Sequence, residues 1–455
     1  MPRTLFDKLW DSHCITTGQS GESLLYIDRV CLHERTGGIA LKSLEERNIP
    51  VRRPEQAFCM MDHVLDTHPG RGDRTAIPGG EAFILRAREG AAASGIRTFD
   101  VGDADQGISH VVSAEQGIAL PGLSLVCPDS HTCTLGALGT LALGIGTSEA
   151  EHALATSTLW MARPPGVRVV VDGRLRPDAT PKDLALYLIA EHGADGAAGA
   201  AVEFSGAGVE ALGIEARMTL CNMAVEFAAV TALIAPDAKV FDYVADRAYA
   251  PAKLPLKEWM ALHTDAGAHF DRTINIDATR IDARVTWGTS PEQGVNVTGR
   301  IPAPRNGTAR RALDYIGLAP GTAMPEVAID AAFIGSCTNA RLSDLRSAAA
   351  ILRNRRVAPG VAAICVPASA AVKRAAEAEG LDRIFRAAGF EWRESGCSLC
   401  FHAGGESFGP GKRVITTTNR NFEGRQGPHV RSHLASPAVV AASAVRGRIS
   451  TPGML

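Results

Sequence analysis

Three cysteines are the residues whose types and spacing point most directly to chemistry. Cys337 lies in the segment Gly335–Asn339, and Cys397 and Cys400 form a C-x-x-C pair. Three thiolates with no obvious fourth could hold an iron–sulfur cluster in which one iron stays open. An open iron is a Lewis acid that can bind a substrate hydroxyl, so the chemistry predicted from such a site is dehydration.

The spacing of the C-x-x-C pair leaves a second metal possible. Structural zinc, with His402 as a fourth ligand, fits about as well, because four nitrogen or sulfur ligands complete such a site. A thioredoxin-like redox pair is less favoured, since no helix N-terminus of that type follows the pair. The glycine before Cys397 and the polar surroundings predict that the pair lies in an exposed loop.

Histidines accompany carboxylates at three places along the chain. Asp62–His63 follows a strand predicted at 56–61, and Asp129–His131 follows a strand predicted at 123–127. His110 ends a third such segment. A carboxylate beside an imidazole fixes its tautomer and raises its basicity. Because the carboxyl ends of parallel strands meet in one crevice, the three segments are expected to supply proton-transfer groups there.

Two further features are candidate parts of the site, and the first suits an anionic ligand. Arg420 and Arg425 lie around a glycine in the segment Asn419–Gln426, and a guanidinium group binds carboxylate through two parallel hydrogen bonds. A solvated turn with surface arginines is the other interpretation of this segment. Glu226 is a lone acid in an apolar stretch, so it is expected to meet a histidine, an arginine or the active crevice.

Composition bounds the class of protein. The chain has 455 residues, 45% of them hydrophobic, a net charge of −2 and 5% aromatic residues. This length favours about two to four domains. The near-neutral charge and few aromatics give no reason to expect nucleic acid or an anionic membrane as partner. Without an apolar N-terminal segment, or about 18 uninterrupted apolar residues elsewhere, the protein is expected to be cytoplasmic, with reduced or metal-bound cysteines.

Apolar runs followed by glycine-rich or polar loops predict an α/β fold with parallel sheets. Three domains are expected, at residues 1–165, 166–285 and 286–455. The predicted strands are 56–61, 97–101, 123–127, 166–173, 327–335 and 361–366. The predicted helices are 5–24, 39–48, 148–161, 181–193, 222–234, 342–352 and 369–379. Cys337 is therefore expected in a strand-to-helix loop, where ligands of such sheets bind.

In combination these segments resemble one family, the large subunits of isopropylmalate dehydratases within the aconitase superfamily. The resemblance runs from Leu5 to about Arg446 and favours iron–sulfur over zinc, because many motifs agree in one order. Its most specific segments are Asp129–Thr132, Arg217–Glu226, Thr286–Gln293, Gly335–Asn339, Gly396–Cys400 and Asn419–Gln426.

The resemblance implies roles for particular residues. It implies that Cys337, Cys397 and Cys400 ligate a [4Fe–4S] cluster. The catalytic pairs that it implies are Asp62 with His63, His110 with Asp129, and His131 with Glu226. The residues that it implies for the substrate pocket are Ser130, Asn222, Asn419, Arg420 and Arg425.

The resemblance also implies an architecture and a reaction. The family fold has three α/β/α domains around the cluster, and the swivelling fourth domain is a separate small subunit that supplies a serine base and further arginines. The chain ends at Leu455, so it is expected to be the large subunit of a heterodimer that lacks this fourth domain. The expected reaction removes and re-adds water on a hydroxy-dicarboxylate, interconverting 2-isopropylmalate and 3-isopropylmalate in leucine biosynthesis.

Several flanking segments depart from the family pattern. They include Phe401–Gly404 after the cysteine pair, His33–Gly37 near the start and Ala197–Ala200. Because the predicted ligands and proton-transfer residues are kept, these departures bear on the substrate more than on the reaction. A related hydro-lyase acting on citramalate, dimethylmalate or another substituted malate is the first alternative. A cluster- or zinc-bearing protein without enzymatic activity is the second.

Overall fold

The structure is a computed structural model, which describes residues 1–402 and 405–455. Ala403 and Gly404, from the altered segment after the cysteine pair, lie outside the described residues. The chain forms two compact units. Unit 1 comprises Met1–Val64, Gly79–Arg174 and Ala197–Asp277, and unit 2 comprises Leu65–Pro78, Leu175–Gly196 and Ala278–Leu455.

The strands are short and, in the larger sheets, parallel. They are β1 (Cys14–Thr17), β2 (Ser23–Tyr26), β3 (Arg29–His33), β4 (Ala57–Met60), β5 (Arg97–Phe99), β6 (Ser124–Cys127), β7 (Leu141–Gly144), β8 (Thr158–Met161), β9 (Gly166–Asp172), β10 (Ala201–Ser205), β11 (Thr231–Leu233), β12 (Arg272–Asp277), β13 (Arg284–Thr286), β14 (Gly294–Asn296), β15 (Ala331–Ile334), β16 (Ala362–Cys365), β17 (Glu391–Trp392), β18 (Arg413–Thr416) and β19 (Arg431–Leu434).

The helices connect and cover these strands. The α-helices are α1 (Leu5–His13), α2 (Glu34–Glu46), α3 (Gly80–Ser94), α4 (Ser109–Glu115), α5 (Thr147–Thr156), α6 (Pro181–His192), α7 (Ala207–Glu210), α8 (Ile214–Met223), α9 (Ala238–Val244), α10 (Leu256–Met260), α11 (Gly307–Ile316), α12 (Leu342–Leu352), α13 (Ala370–Ala378), α14 (Leu381–Ala388) and α15 (Pro437–Arg446). Short 3₁₀ helices span Pro54–Gln56, Ser130–Leu138, Ala224–Phe227, Ala278–Arg280, Met324–Glu326, Ser398–Cys400 and Pro452–Met454.

Unit 1 holds two parallel sheets and one small antiparallel sheet. The five-stranded sheet has the order β5-β4-β3-β6-β7, and the four-stranded sheet has the order β11-β10-β9-β12. The antiparallel sheet is β1-β2-β8. Strands β4 and β6 are buried along their whole length, which explains their unbroken apolar sequences. Their carboxyl ends lead directly into the segments that hold His63 and His131.

Unit 2 is built on the parallel sheet β17-β16-β15-β18-β19. The antiparallel pair β13-β14 precedes this sheet in the sequence. The central strand β15 alternates between two cores, as the two faces of a strand require. Ala332 and Ile334 belong to the larger core, whereas Phe333 belongs to a smaller one that also contains Leu399. Because Leu399 stands between Cys397 and Cys400, packing on the second face of this sheet anchors the C-x-x-C pair.

Most of the predicted elements are present, with boundaries shifted by a few residues. The strands predicted at 56–61, 97–101, 123–127, 166–173, 327–335 and 361–366 correspond to β4, β5, β6, β9, β15 and β16. The helices predicted at 39–48, 148–161, 181–193, 342–352 and 369–379 correspond to α2, α5, α6, α12 and α13. Cys337 lies between β15 and α12, so the prediction of a strand-to-helix loop is confirmed.

Two predicted helices are wrong. The helix predicted at 5–24 ends at His13, where Cys14 turns to an extended conformation and the chain continues as β1 and β2. The helix predicted at 222–234 is the end of α8, a 3₁₀ turn and the strand β11. Ala228 adopts a φ of 62°, which stops the turn before the strand begins.

The division into three domains stays a prediction. Each of the three expected segments contains one of the larger parallel sheets, whereas the two compact units combine segments that are distant in sequence. Among the described residues, no helix is both long and apolar enough to cross a membrane.

Candidate active site

A sharp turn after β15 presents Cys337. Gly335 donates its backbone N–H to Thr417 Oγ1 at 2.9 Å. A Cβ on Gly335 would lie 2.2 Å from the ring of Phe333, so only glycine fits there. Ser336 adopts a φ of 85°, a conformation that residues other than glycine rarely take. The backbone is therefore strained directly before the cysteine, which is typical of functional turns.

The second loop holds its cysteines in a buried 3₁₀ turn. Cys397 and Cys400 are 5% and 6% exposed, so the prediction of an exposed loop is wrong. The reason is that Leu399 is buried in the core of the sheet, and Gln426 Nε2 donates to its carbonyl oxygen at 2.7 Å. This polar segment can be buried because the carbonyl oxygen of Leu399 accepts a hydrogen bond from the buried side chain of Gln426.

Two of the three thiols, those of Cys337 and Cys400, have side-chain hydrogen-bond donors close by. Asn419 Nδ2 donates to Cys337 Sγ at 3.6 Å, and Arg425 Nη2 donates to Cys400 Sγ at 3.7 Å. Ser336 Oγ lies 3.2 Å from Cys400 Sγ and 3.9 Å from Cys337 Sγ. Donors to sulfur favour the thiolate form, which is the form that binds metal.

The described ligand atoms give no compact site for one zinc ion at the cysteines. At a zinc–sulfur distance of about 2.3 Å, two sulfurs on one zinc lie at most about 4.6 Å apart. Within the part of the chain that the structure describes, the groups of ligand atoms that all lie within 4.8 Å of one another contain only histidines and acids. His402, the predicted fourth zinc ligand, instead has its Nδ1 3.3 Å from the Glu406 carbonyl oxygen. The three sulfurs are therefore not placed as ligands of one zinc ion.

In unit 1, histidines and carboxylates form a continuous network. His63 Nδ1 lies 2.6 Å from Asp62 Oδ1, and His63 Nε2 lies 3.1 Å from Asp129 Oδ2. The other oxygen of Asp129 lies 3.2 Å from His110 Nε2. The sequence predicts His110 directly after a strand, but the structure places it in the first turn of α4.

The network continues through the 3₁₀ helix Ser130–Leu138. The backbone N–H of His131 donates to Asp129 Oδ1 at 2.7 Å, and His131 Nε2 lies 3.0 Å from Glu226 Oε1. The prediction that Glu226 meets a partner is therefore confirmed. Ser130, at the start of the helix, is exposed, and its Oγ lies 3.4 Å from His131 Nδ1. The three acid–histidine pairs implied by the resemblance are all present as contacts.

Asp129 is held in its charged form. Burial alone would raise its pKa, but attraction to His110 and hydrogen bonds from the neighbouring histidines hold the pKa well below its usual range. Burial alone would also raise the pKa of Asp62, but the charge and hydrogen bond of His63, with smaller contributions from His33 and the backbone N–H of Ser109, together lower it. Both carboxylates therefore stay ionised and fix the orientation of the imidazole between them.

Sequence reasoning missed Glu34, which supports this network. Its carboxylate is fully buried and accepts the backbone N–H groups of Asp62 at 3.0 Å and of His63 at 2.7 Å. It also accepts the backbone N–H of Val64. Burial raises the pKa of Glu34, and repulsion by Asp62 adds to this. An acid placed directly after β3 was the only sequence signal for this role.

His33 was also missed. Its ring stacks on that of His63 with 4.0 Å between centroids, and burial lowers its pKa to about 4. A neutral imidazole therefore covers one face of His63, which limits the access of water to that face.

The residues predicted to bind substrate differ in exposure. Asn222 is buried and donates to Thr134 Oγ1 at 2.8 Å, and Asn419 is fully buried beside Cys337. Arg420 and Arg425 are half-buried. The guanidinium carbon of Arg425 lies 5.4 Å from the centroid of the Phe401 ring and 5.5 Å from that of Phe422, which orients its planar group.

The comparison with known families defines the class of this protein. Residues 7–447 match the sequence model described as Aconitase family (aconitate hydratase). The chain therefore belongs to the aconitase family. Membership of this family implies an iron–sulfur cluster, and the three buried cysteines with their donors are the residues of this chain that fit one.

A curated relative narrows the comparison. The chain is 49% identical to "3-isopropylmalate dehydratase large subunit 1" of Bradyrhizobium diazoefficiens, over 98% of this chain and 96% of the relative. Among solved structures, that titled "Crystal structure of Thermococcus kodakaraensis aconitase X (holo-form)" is similar with a TM-score of 0.47 and 13% identity. The similarity covers 88% of this chain and 84% of the chain in that structure.

Proposed function

We propose that this chain is the large subunit of a 3-isopropylmalate dehydratase, a hydro-lyase of leucine biosynthesis that interconverts 2-isopropylmalate and 3-isopropylmalate. The observation that carries the proposal is 49% identity to the Bradyrhizobium relative over almost the whole of both chains. The acid–histidine network and the cysteine site support it, because they supply proton-transfer groups and metal ligands to a reaction that needs both.

In this proposal Cys337, Cys397 and Cys400 hold a [4Fe–4S] cluster. Their burial and the donors on Asn419 and Arg425 support this role, since buried thiolates need such donors. When bound, a cluster with one iron not ligated by cysteine supplies a Lewis acid that helps a hydroxyl group to leave.

The histidines of unit 1 handle protons in this proposal. Asp62 holds the Nδ1 side of His63, so that Nε2 faces Asp129. Asp129 stays ionised and orients the imidazoles of His63 and His110, which its two oxygens contact. Proton donation to the leaving hydroxyl by one of these imidazoles contributes about 10²–10⁴-fold in comparable enzymes.

The loop Asn419–Gln426 is proposed to hold the substrate carboxylates. The guanidinium group of Arg425 is oriented by two aromatic rings, which reduces the entropy lost when it binds an anion. Arg420 is the second candidate for this role. A carboxylate held in this way acidifies the neighbouring C–H bond, which is the bond that dehydration must break.

A small subunit is the proposed partner, in keeping with the words "large subunit" in the name of the relative. That subunit is expected to bring the base that removes the C–H proton. The purified chain alone should therefore show only a small fraction of the activity of the complex.

A substrate panel tests the proposed function. The anaerobically reconstituted chain, mixed with the small subunit encoded beside it, is assayed with 2-isopropylmalate, citramalate and 2,3-dimethylmalate. The highest kcat/KM is expected for 2-isopropylmalate. A preference for one of the other malates would support the alternative, a related hydro-lyase that acts on another substituted malate. The observation that favours this alternative is the departure from the family pattern that begins at Phe401. Turnover of none of them would contradict a hydro-lyase of this class.

A further inference from the structure

Lys182 is a buried cation next to the elements that carry the cysteine ligands. It lies in the first turn of α6, its exposed fraction is 0%, and its Nζ donates to the carbonyl oxygens of Thr417 at 3.0 Å and of Thr418 at 2.5 Å. Across residues 1–402 and 405–455, no carboxylate oxygen lies within ion-pair distance of this Nζ. Carbonyl dipoles satisfy its N–H groups but do not neutralise its charge.

The segment that Lys182 contacts is coupled to Cys337 by short contacts. Thr417 Oγ1 accepts the N–H of Gly335 and donates to the carbonyl oxygen of the same residue, both at 2.9 Å. Directly after Thr418, Asn419 donates to Cys337 Sγ. The ammonium group therefore holds the backbone from which a donor to the first cysteine projects.

Electrostatic interactions also relate Lys182 to the thiols. The pKa of Lys182 falls to about 7, because burial lowers it by more than four negatively ionising groups raise it. Asp344 has the largest opposing effect, followed by Cys337, Asp183 and Cys400. Two of the four groups that favour the charged lysine are thus predicted cluster ligands.

A second cation in the same unit has the same character. Arg341 is 2% exposed, and its guanidinium donates to the carbonyl oxygens of Thr338 at 2.8 Å and of Cys337 at 2.6 Å. Its buried Nε has no hydrogen-bond partner. Arginine remains charged at any physiological pH, so the loop of Cys337 contains a permanent positive charge without a carboxylate on its guanidinium.

Asp344 and Asp183 offset part of the charge of Lys182 but make no ion pair with it, so a further anion close by would stabilise the two buried cations. Three cysteine thiolates on an iron–sulfur cluster supply such an anion, since the thiolates carry more negative charge than the core carries positive charge. Net charge is also one of the factors that set the reduction potential of such a cluster.

We propose that Lys182, with Arg341, supplies the buried positive charge that balances the anionic cluster and raises its reduction potential. The proposal rests on the proposed function, because it requires the cluster. It makes Lys182 a positioning residue that acts through the cluster and its loop, and not a residue that touches the substrate.

The test is an anaerobic redox titration of the reconstituted chain with its small subunit. The one-electron reduction of the cluster is followed by electron paramagnetic resonance in wild type, Lys182→Met and Lys182→Arg. Removal of the charge in Lys182→Met is expected to change the equilibrium between the reduced and oxidised cluster about tenfold toward the oxidised form. That change is a fall of about 59 mV in the midpoint potential for one electron. Lys182→Arg should stay close to wild type.

Arg413→Met is the matched control. Arg413 lies in the same unit, is half-buried and donates to the Ile316 carbonyl oxygen at 2.8 Å, but its charged neighbours are Arg431 and Asp330 and no cysteine. The midpoint potential of the cluster in Arg413→Met should equal that in wild type. If Lys182→Met fails to retain the cluster, Arg341→Met provides the same test and should lower the potential in the same direction.

The outcomes separate this inference from the proposed function. A cluster of unchanged potential in Lys182→Met or in Arg341→Met, with the signal intact, would overturn the charge-balancing role and leave the hydro-lyase proposal standing. A wild-type chain that takes up no cluster at all would contradict the proposed function itself. A lowered potential in the methionine variant, restored in the arginine variant, supports the inference.

Discussion

The acid–histidine network of unit 1 and the cysteine site of unit 2 differ in the charges that surround them. In unit 1, each histidine of the network touches a carboxylate, and the single carboxylate of Asp129 contacts both His63 and His110. In unit 2, the cysteine loops are surrounded by donors from Asn419 and Arg425 and by the cations Lys182 and Arg341. In the first site the histidines touch carboxylates of the protein, whereas in the described part of the second site Lys182 and the guanidinium of Arg341 have no carboxylate within ion-pair distance and suit an added anion.

This difference teaches what each site needs in order to work. A balanced network can hold or pass a proton without any added group, because each proton moves between partners that are already paired. A site rich in donors and cations reaches its stable form only when an anionic group binds. Substitutions in unit 1 should therefore change catalysis with the cofactor retained, and substitutions in unit 2 should change the cofactor itself.

The largest effect is expected from Cys397→Ser. Loss of one of three sulfur ligands should abolish the iron–sulfur visible absorbance and the activity together, because the buried loop offers no replacement thiol. Cys14→Ser is the control, since Cys14 is a half-exposed thiol in unit 1. Activity that survives in Cys397→Ser without bound iron would break the distinction between the two sites.

Asp129→Asn should come next. The amide keeps the shape of the side chain but removes the charge that stabilises protonated His63 and His110, so kcat should fall about 10²–10⁴-fold. The cluster absorbance should be unchanged. Asp103→Asn, which affects a surface ion pair with Arg97, should leave kcat unaltered. A loss of absorbance in Asp129→Asn would mean that this network is not independent of the cofactor.

Glu34→Gln should have a smaller effect. The new amide keeps one acceptor oxygen but turns a donor toward backbone N–H groups of Asp62–Val64, which costs about 1–3 kcal/mol of folding free energy. The shifted loop should lower kcat about tenfold. Urea denaturation and steady-state kinetics measure the two effects, with the exposed Glu46→Gln as control. Unchanged stability would show that the buried carboxylate does not support the loop.

The loops that are proposed to carry chemistry stand out in the sequence because their residue types are unusual and their order is specific. Cys337, Cys397 and Cys400 are recognised by spacing, and the acid–histidine segments by their position after apolar strands. Their burial was not predictable, since it depends on Leu399 packing against a strand about 65 residues earlier in the chain, and a polar sequence gives no sign of such a contact.

Glu34 and Lys182 escaped prediction for a related reason. Glu34 acts through backbone N–H groups that lie 28 to 30 residues later in sequence, and Lys182 through carbonyl oxygens more than 230 residues away. Backbone partners leave no pattern of residue types. A lysine in the first turn of an amphipathic helix is ordinarily on the surface, so its burial follows only from tertiary packing.

The smallest effect concerns the dependence of stability on pH. Burial, with the charge of Arg413, lowers the pKa of His433 from its ordinary value of 6.5 to about 3. As the pH falls, His433 therefore becomes protonated in the unfolded chain before it does so in the folded chain. Its contribution to the free energy of unfolding is full above pH 6.5 and declines as the pH falls from there toward about 3. The slope due to one such group is at most about 1.4 kcal/mol per pH unit.

His433→Gln sharpens this point. Urea denaturation at about pH 7 and about pH 5 should show a smaller loss of stability in the variant than in wild type. Equal losses would mean that His433 is accessible to protons in the folded state and that unit 2 is less closed around the sheet than its burial indicates.

Mössbauer spectroscopy of the chain reconstituted with isotopically enriched iron tests the central claim most directly. We expect the spectrum of a [4Fe–4S] cluster in which one iron differs from the other three, and in which that iron alone changes when the hydroxy-dicarboxylate substrate is added to the complex with the small subunit. A cluster whose four irons are all ligated by the protein and do not respond to substrate, or a metal centre that proves to be tetrahedral zinc, would contradict the account.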